Sequence, residues 1–280
     1  MKKLLSLVLV AATALSLTGC GGGSSSSSSS SGGDLSGKIS LNGSTSMEKF
    51  VTALGEGFQE KYPNVTVEPQ FTGSSAGVQA LIKGSCDIAD SSRSLTADEK
   101  KKGLVENIVA IDGIAIALNK KNKVSNVTNK QLADIYTGKI TNWKQLGGAD
   151  EKIVVIGREA ASGTRAAFEE LLKVENKCKY AQELDNTGAV VAKCAATSGA
   201  IGYVSLDEVD SSIKTAKLNN VEAKESTIKD GTYKLQRPFV MATKGAVSKQ
   251  NKKVQALFKY INSAEGQKIV KKAGLISAKK

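Results

Sequence analysis

The chain has 280 residues and a formal net charge of +12, from 39 Lys and Arg against 27 Asp and Glu. That length allows one or two domains and an ample core. Histidine is absent, which removes His-based general base catalysis, Ser-His-Asp triads and His-ligated metals.

Only Arg93, Arg158, Arg165 and Arg237 are arginines. The charge is therefore a diffuse lysine surface that draws in anions, and no basic stripe interleaves with aromatics as a nucleic-acid surface would require. Lys2-Lys3 precede an apolar stretch, Leu4 to Leu17, too short to span a bilayer comfortably. It ends Leu17-Thr18-Gly19-Cys20, which resembles the lipobox of bacterial lipoproteins, where the Cys is lipidated and becomes the mature N-terminus. Residues 21–33 are only Gly and Ser, a flexible coil, and residues 21–36 are expected to act as a tether. Anchor, leash and folded domain together predict a protein lipid-anchored at the extracytoplasmic face of the cell membrane.

With Cys20 lipidated, Cys86, Cys178 and Cys194 remain, so at most one intramolecular disulfide can form. Two readings stay open: a Cys178–Cys194 bridge, which would add about 3 kcal/mol, or three reduced, partly buried thiols. No C-x-x-C is present, so neither a zinc site nor a redox motif is indicated.

The folded part opens with a short strand, Lys38 to Leu41. The turn Asn42-Gly-Ser-Thr-Ser46 follows, then a helix whose Met47, Phe50, Val51, Leu54 and Phe58 share one face. Thr45 and Glu48 have capping-box spacing. Tyr62-Pro63-Asn64 ends that helix. Val65–Val67 and Gln70–Thr72 read as a strand interrupted at Pro69. Gly73-Ser-Ser-Ala-Gly77 is a second small-residue turn, and Val78, Leu81 and Ile82 mark a helix that stops at Gly84. Asp87 to Arg93 reads as a strand followed by a polar turn. Ile108 to Leu118 is a long apolar run, expected to be a strand buried on both faces and long enough to pass from one lobe to another. Thr128 to Tyr136 should be helical with Leu132 and Ile135 inward.

Lys152 to Ile156 has strand character. After it come Arg158-Glu-Ala-Ala-Ser-Gly-Thr-Arg165 and a helix starting near Thr164, with Phe168, Leu171 and Leu172 at helical spacing. Ser162 or Thr164 can cap its first N–H groups, and Gly163 lets the backbone approach a ligand closely. Ala189 to Ala196 looks helical, Gly199 to Val204 and Phe239 to Thr243 look like strands, and two amphipathic helices close the chain, one around Val254 to Ile261 and one over Ser263 to Val270.

A strand, hydroxyl-rich turn and helix unit thus occurs at Ser44 to Ser46, at Ser74 to Ser75 and at Ser162 to Thr164. Each helix start offers N–H donors and a dipole that favour an anion, and the arginines flanking the third turn match tetrahedral oxyanions. In open parallel sheets ligands sit where such turns lie.

In these segments, and in Asp87-Ile-Ala-Asp-Ser-Ser-Arg93, Asp134 to Trp143 and Gly199-Ala-Ile-Gly-Tyr-Val204, the chain resembles the substrate-binding lipoprotein of bacterial phosphate ABC importers, from about Ser40 to Ile276. The resemblance implies an α/β, two-lobed type II periplasmic-binding-protein fold that closes on inorganic phosphate and delivers it to the transmembrane subunits of an ABC permease. With the two long apolar strands as crossings between lobes, the domains expected are 1–20 (signal peptide), 21–36 (tether), 37–113 with 240–280 (lobe 1) and 114–239 (lobe 2). It places Thr45, Ser46, Ser74, Ser92, Arg158, Ser162, Gly163 and Thr164 on the phosphate, with Ser44, Arg93 and Arg165 as further candidates. The Asp134 to Trp143 segment is read as structural. No cofactor, metal, catalytic residue or nucleic-acid partner is expected, and a monomer is. Ser92 and Ala160 stand where some members have acids; Glu159 or Asp90 could accept the phosphate proton instead.

Two other classes compete. The same carrier fold could take sulfate or molybdate. A serine hydrolase could use Gly73-Ser-Ser-Ala-Gly77, which fits G-x-S-x-G, or Ser46-Met-Glu-Lys49, which fits S-x-x-K. The first lacks a histidine base and the second lacks its companion motifs. An adhesion or signalling module keeping the fold without transport is a further alternative.

Overall fold

Strands and helices alternate along residues 35–278, the part described by the computed structural model. In chain order they are β1 (Gly37–Gly43), a 3-10 turn (Thr45–Met47), α1 (Glu48–Lys61), β2 (Val65–Gln70), α2 (Ser74–Lys83), β3 (Ile88–Ser91), α3 (Ala97–Lys101), β4 (Leu104–Val105), β5 (Ile108–Leu118), β6 (Asn126–Val127), α4 (Asn129–Tyr136) and β7 (Val154–Arg158). There follow α5 (Gly163–Leu172), β8 (Gln182–Leu184), α6 (Thr187–Ala196), β9 (Ala200–Ser205), β10 (Lys214–Leu218), α7 (Glu225–Lys229), β11 (Gln236–Lys244), α8 (Lys252–Ile261), α9 (Ala264–Lys272) and β12 (Ile276–Ser277). The signal peptide, Cys20 and most of the tether lie outside the described residues.

The strands join in the order β2-β1-β3-β11-β5-β9-β7-β8. Pairing is parallel among β2, β1 and β3 and among β9, β7 and β8, which places helix crossovers between those strands. β11 runs antiparallel to β3 and β5, and β5 antiparallel to β9. β5 is shared between two cores: Ile108–Gly113 pair with β11, and Ile114–Leu118 with β9. One core gathers Ile114 to Leu118 with Tyr136, Trp143, Phe168 and Tyr203. The other gathers Ile39, Phe50, Phe58, Phe239, Leu257 and Ile261. A small third cluster, including Val78, Leu81 and Leu104, lies beneath α2.

Several expectations need correction. α1 has no side-chain cap: a 3-10 turn precedes it, so Thr45 and Glu48 do not form a capping box. Pro69 does not interrupt β2; it pairs with Leu41 inside an edge strand, where a missing N–H can face outward. Leu171 is 41% exposed, unlike Phe168 and Leu172. α6 begins at Thr187, two residues before the expected start. Of the two readings for the cysteines, the reduced one holds: Cys86, Cys178 and Cys194 are free. Trp143 is buried, its Nε1–H donating to the Gly199 carbonyl at 2.9 Å, and Gly138 adopts a left-handed φ of 76° at the end of α4.

Candidate functional site

Four helix starts meet inside the molecule. Thr45 and Ser46 lie in the turn ahead of α1, Ser74 opens α2, Gly163 opens α5 and Thr187 opens α6. Their side chains are buried: Thr45 is 5% exposed, Ser46 and Ser74 0%, Thr164 and Thr187 1%. Gly73 at φ 97° carries the chain into α2, and a Cβ there would stand 3.0 Å from the Ala161 carbonyl of the turn before α5. The Ser75 N–H donates to that same carbonyl at 3.0 Å, joining the two turns.

The hydroxyls form two hydrogen-bonded groups, one centred on Ser46 and Ser92 and one joining Thr45 to Thr187, which adjoin where Thr45 precedes Ser46 in the chain. Ser44 Oγ lies 2.8 Å from Ser92 Oγ and 3.0 Å from Ser46 Oγ. Ser74 Oγ is 3.3 Å from Ser92 Oγ and accepts the Ser92 N–H at 3.1 Å. Thr164 Oγ1 donates to Ser46 Oγ at 3.2 Å, and Thr45 Oγ1 is 3.3 Å from Thr187 Oγ1. Gly163 is needed where it stands: a Cβ would lie 2.2 Å from Ser74 Oγ and 2.7 Å from Ser92 Oγ. Ser162 sits beside the set and caps α5, its Oγ accepting the Arg165 N–H at 3.2 Å.

Arg158, at the end of β7, is 1% exposed. Nη2 donates to Thr45 Oγ1 at 2.8 Å and to the Asp185 carbonyl at 2.8 Å; Nη1 donates to Thr187 Oγ1 at 2.9 Å and Nε to the Leu184 carbonyl at 3.1 Å. Its own N–H is held by Tyr203 Oη at 3.0 Å. Among the described residues it is the arginine with no carboxylate in ion-pair contact. Arg93 pairs with Glu99, Arg165 with Glu169 and Glu183, and Arg237 with Asp112. Burial pushes the Arg158 guanidinium down to about 10. A buried positive charge whose partners are hydroxyls and carbonyls asks for an anion.

Arg93 and Arg165 are thus committed elsewhere: Arg93 forks onto Glu99 at 2.8 and 2.9 Å, and Arg165 also stacks over Tyr180 at 4.8 Å. Neither acid considered as a proton acceptor offers its carboxylate to the hydroxyls; Asp90 and Glu159 instead accept the Ser44 and Ser162 N–H through their backbone carbonyls, at 2.8 and 3.0 Å. Glu159 is exposed. Asp90 is 0% exposed with neither carboxylate oxygen hydrogen-bonded, and burial holds it well above the usual carboxylate range.

The hydrolase motifs gain no chemistry. Ser75 Oγ accepts from Arg93 Nη2 at 3.3 Å, and Lys49 Nζ is held by Glu208 at 3.1 Å and the Asp207 carbonyl at 3.0 Å. A surface groove of about 630 Å3 between α1, α8 and α9 includes Lys49, Glu56 and Lys268 and has none of the site hydroxyls in its lining. Among the described residues no group of three or more His, Cys, Asp or Glu could hold a metal ion.

Two participants escaped the sequence reading. Thr187 was readable as a capped helix start, since Asn186 accepts the Ala189 N–H at 2.7 Å. Arg237 donates to Ser46 Oγ at 3.1 Å. Its signal was a charged residue in each of two buried apolar strands, Asp112 and Arg237, which demands that they pair.

The chain is similar to known proteins over most of its length. A family profile described as a PBP superfamily domain matches residues 28–265. The phosphate-binding protein PstS of Bacillus subtilis is 31% identical over 240 residues, 84% of this chain and 78% of that protein. A phosphate ABC transporter substrate-binding protein of Clostridium perfringens, described as putative and solved with bound phosphate, is 38% identical, with a TM-score of 0.83 over 87% of this chain and 100% of that one. An ABC-type phosphate transport receptor of Vibrio cholerae is 34% identical, with a TM-score of 0.72 over 85% and 99%.

Proposed function

The chain belongs to the PBP superfamily and, within it, to the phosphate-binding proteins of ABC importers, and from that premise we propose that its hydroxyl and arginine cluster is the phosphate site. The protein captures inorganic phosphate between two lobes and delivers it to an ABC permease. Thr45, Ser46, Ser74, Ser92, Ser162, Gly163 and Thr164 donate hydroxyl or backbone hydrogens to it, with Ser44 and Thr187 beside them, and Arg158 supplies the charge. The observation that carries this reading is Arg158, buried without a carboxylate partner and bonded to hydroxyls from two helix starts, Thr45 and Thr187.

Lobe 1 is taken as 37–113 with 240–280 and lobe 2 as 114–239; the two main cores support this division except at its edges, where Phe239 packs in the lobe 1 core and Ile111 and Ile276 pack against the lobe 2 core. Donors then come from both sides, so the anion completes its shell only when the lobes meet, and binding favours closure. Each hydrogen bond to charge contributes about 1.5–3 kcal/mol. A micromolar affinity needs about 8 kcal/mol, which several such bonds supply after ordering costs. We further propose that the carrier works as a monomer without catalysis, tethered through lipid on Cys20.

Calorimetric titration of the full chain with phosphate, sulfate, arsenate and molybdate tests the assignment. Phosphate should bind at micromolar affinity or tighter; no heat with phosphate would overturn it. A second reading, a carrier for another tetrahedral oxyanion, draws on the absence of any carboxylate bonded to the described hydroxyl set. It predicts sulfate or molybdate binding tighter than phosphate in the same titration.

A further inference from the structure

Each of the two long buried strands carries one acid or base in mid-cluster. Asp112 in β5 stands opposite Arg237 in β11. Both are buried, at 1% and 2% exposure. Arg237 Nε and Nη2 donate to Asp112 Oδ2 at 3.0 and 2.9 Å. Burial pushes Asp112 up and Arg237 down, and each opposes the shift of the other. Fastening two strands would need nothing more.

The guanidinium has further donors, and they leave the ladder. Nη2 reaches Ser46 Oγ at 3.1 Å, and Nη1 reaches the Ser92 carbonyl at 3.3 Å. Ser46 Oγ also accepts from Thr164 at 3.2 Å. A serine hydroxyl has two lone pairs and one hydrogen. With both lone pairs occupied, Ser46 can only donate. Its nearest remaining neighbour is Ser44 Oγ, at 3.0 Å, within the set that faces the anion.

We propose that Arg237, held by Asp112, is a positioning residue of the anion site that makes Ser46 an obligate hydrogen donor to the bound oxyanion. This rests on the phosphate reading above. Arg237 differs in kind from Arg158. Asp112 cancels its charge, so it orients a donor and adds little net attraction. It does so from β11, which borders the strand shared by the two cores.

The test is a double-mutant cycle on phosphate affinity, read by calorimetry on the full chain. The proteins are the parent, Ser46→Ala, the double substitution Asp112→Leu with Arg237→Met, and the triple combination. Replacing both members of a buried ion pair by apolar groups is frequently neutral for stability, and a thermal melt of each protein checks this. Ser46→Ala and the double substitution should each weaken phosphate binding about ten- to a hundredfold, the worth of one hydrogen bond to a charged group. The triple combination should be no weaker than the worse of these by more than about threefold, because both changes remove one donor. Independent, multiplying losses would overturn the proposal, as would parent-like affinity in the double substitution. A parent that binds no phosphate would overturn the functional reading and this inference together. Should the apolar pair fail to fold, Arg237→Lys takes its place with the same two outcomes. An ammonium can stay paired with Asp112 but lacks the fork that reaches Ser46 as well.

Discussion

Replacing Arg158 by methionine should cost far more anion affinity than stability. In the ligand-free protein the guanidinium is buried and unpaired, and its shift from 12.5 to about 10 corresponds to about 3 kcal/mol against the charged form. A base with a depressed pKa carries that penalty in full below pH 10 and is relieved only above it. Methionine removes the penalty. It also removes donations to Leu184, Asp185, Thr45 and Thr187, each worth about 1 kcal/mol net. The two effects nearly offset, leaving a stability change within about 1–2 kcal/mol. With phosphate bound the balance differs, because one or two charge-assisted bonds disappear at about 1.5–3 kcal/mol each. Affinity should fall by roughly a hundredfold or more. Thermal melts with and without phosphate read both quantities. At a thousand times its Kd, phosphate should stabilise the parent by about 4 kcal/mol, roughly 8–16 °C for a domain of this size. At the same concentration a variant weakened a hundredfold should gain only about 1.4 kcal/mol, roughly 3–6 °C. A variant that keeps the parental shift, or that loses more stability than affinity, would refute the reasoning.

Gly163→Ala puts a Cβ 2.2 Å from Ser74 Oγ and 2.8 Å from Ser74 Cβ; calorimetry should show affinity down about tenfold or more, and the phosphate-free melt should show a loss of about 1–3 kcal/mol because the buried Ser74 must yield. Burial and the neighbouring Asp112 and Glu208, opposed by Lys49, raise Asp207 to about 7. The unfolded carboxyl ionises near 4, so the native state holds an extra proton between about pH 4 and 7 and stability falls as pH rises through that window. Asp207→Asn should flatten the profile and stabilise the protein at pH 8 by about 2–4 kcal/mol, read from denaturation midpoints against pH; an unchanged slope would exclude Asp207 as its source. Burial pushes the Cys86 and Cys178 thiols up to about 11 and Cys194 to about 12, so a thiol reagent should react slowly with the native protein and with all three after unfolding. A Cys178–Cys194 cross-link in the mass spectrum would contradict the structure.

Local chemistry was legible and long-range pairing was not. The apolar runs Ile108–Leu118 and Phe239–Thr243 became β5 and most of β11 because β-branched and small apolar residues announce a buried strand. The cap at Ser162 was visible because it needs only a hydroxyl three residues before an N–H. The order of strands decides which helix starts share a volume, and that order joins residues far apart in sequence, as Arg158 reaches Thr45. Arg93 and Arg165 looked equivalent to Arg158 as letters. Glu99, Glu169 and Glu183 happen to lie within their reach, whereas no acid meets Arg158. Thr45 and Glu48 failed as a cap because the 3-10 turn carries Thr45 toward Arg158 and Thr187.

The exchange of neighbours along β5 has a mechanical consequence. Up to Gly113 the strand is laced to β11, and from Ile114 onward to β9. A twist applied at that changeover can be taken up by a few backbone torsions while every rung on either side stays joined. On the two-lobe reading proposed above, opening and shutting would bend β5 at that changeover and leave the ladders on either side intact.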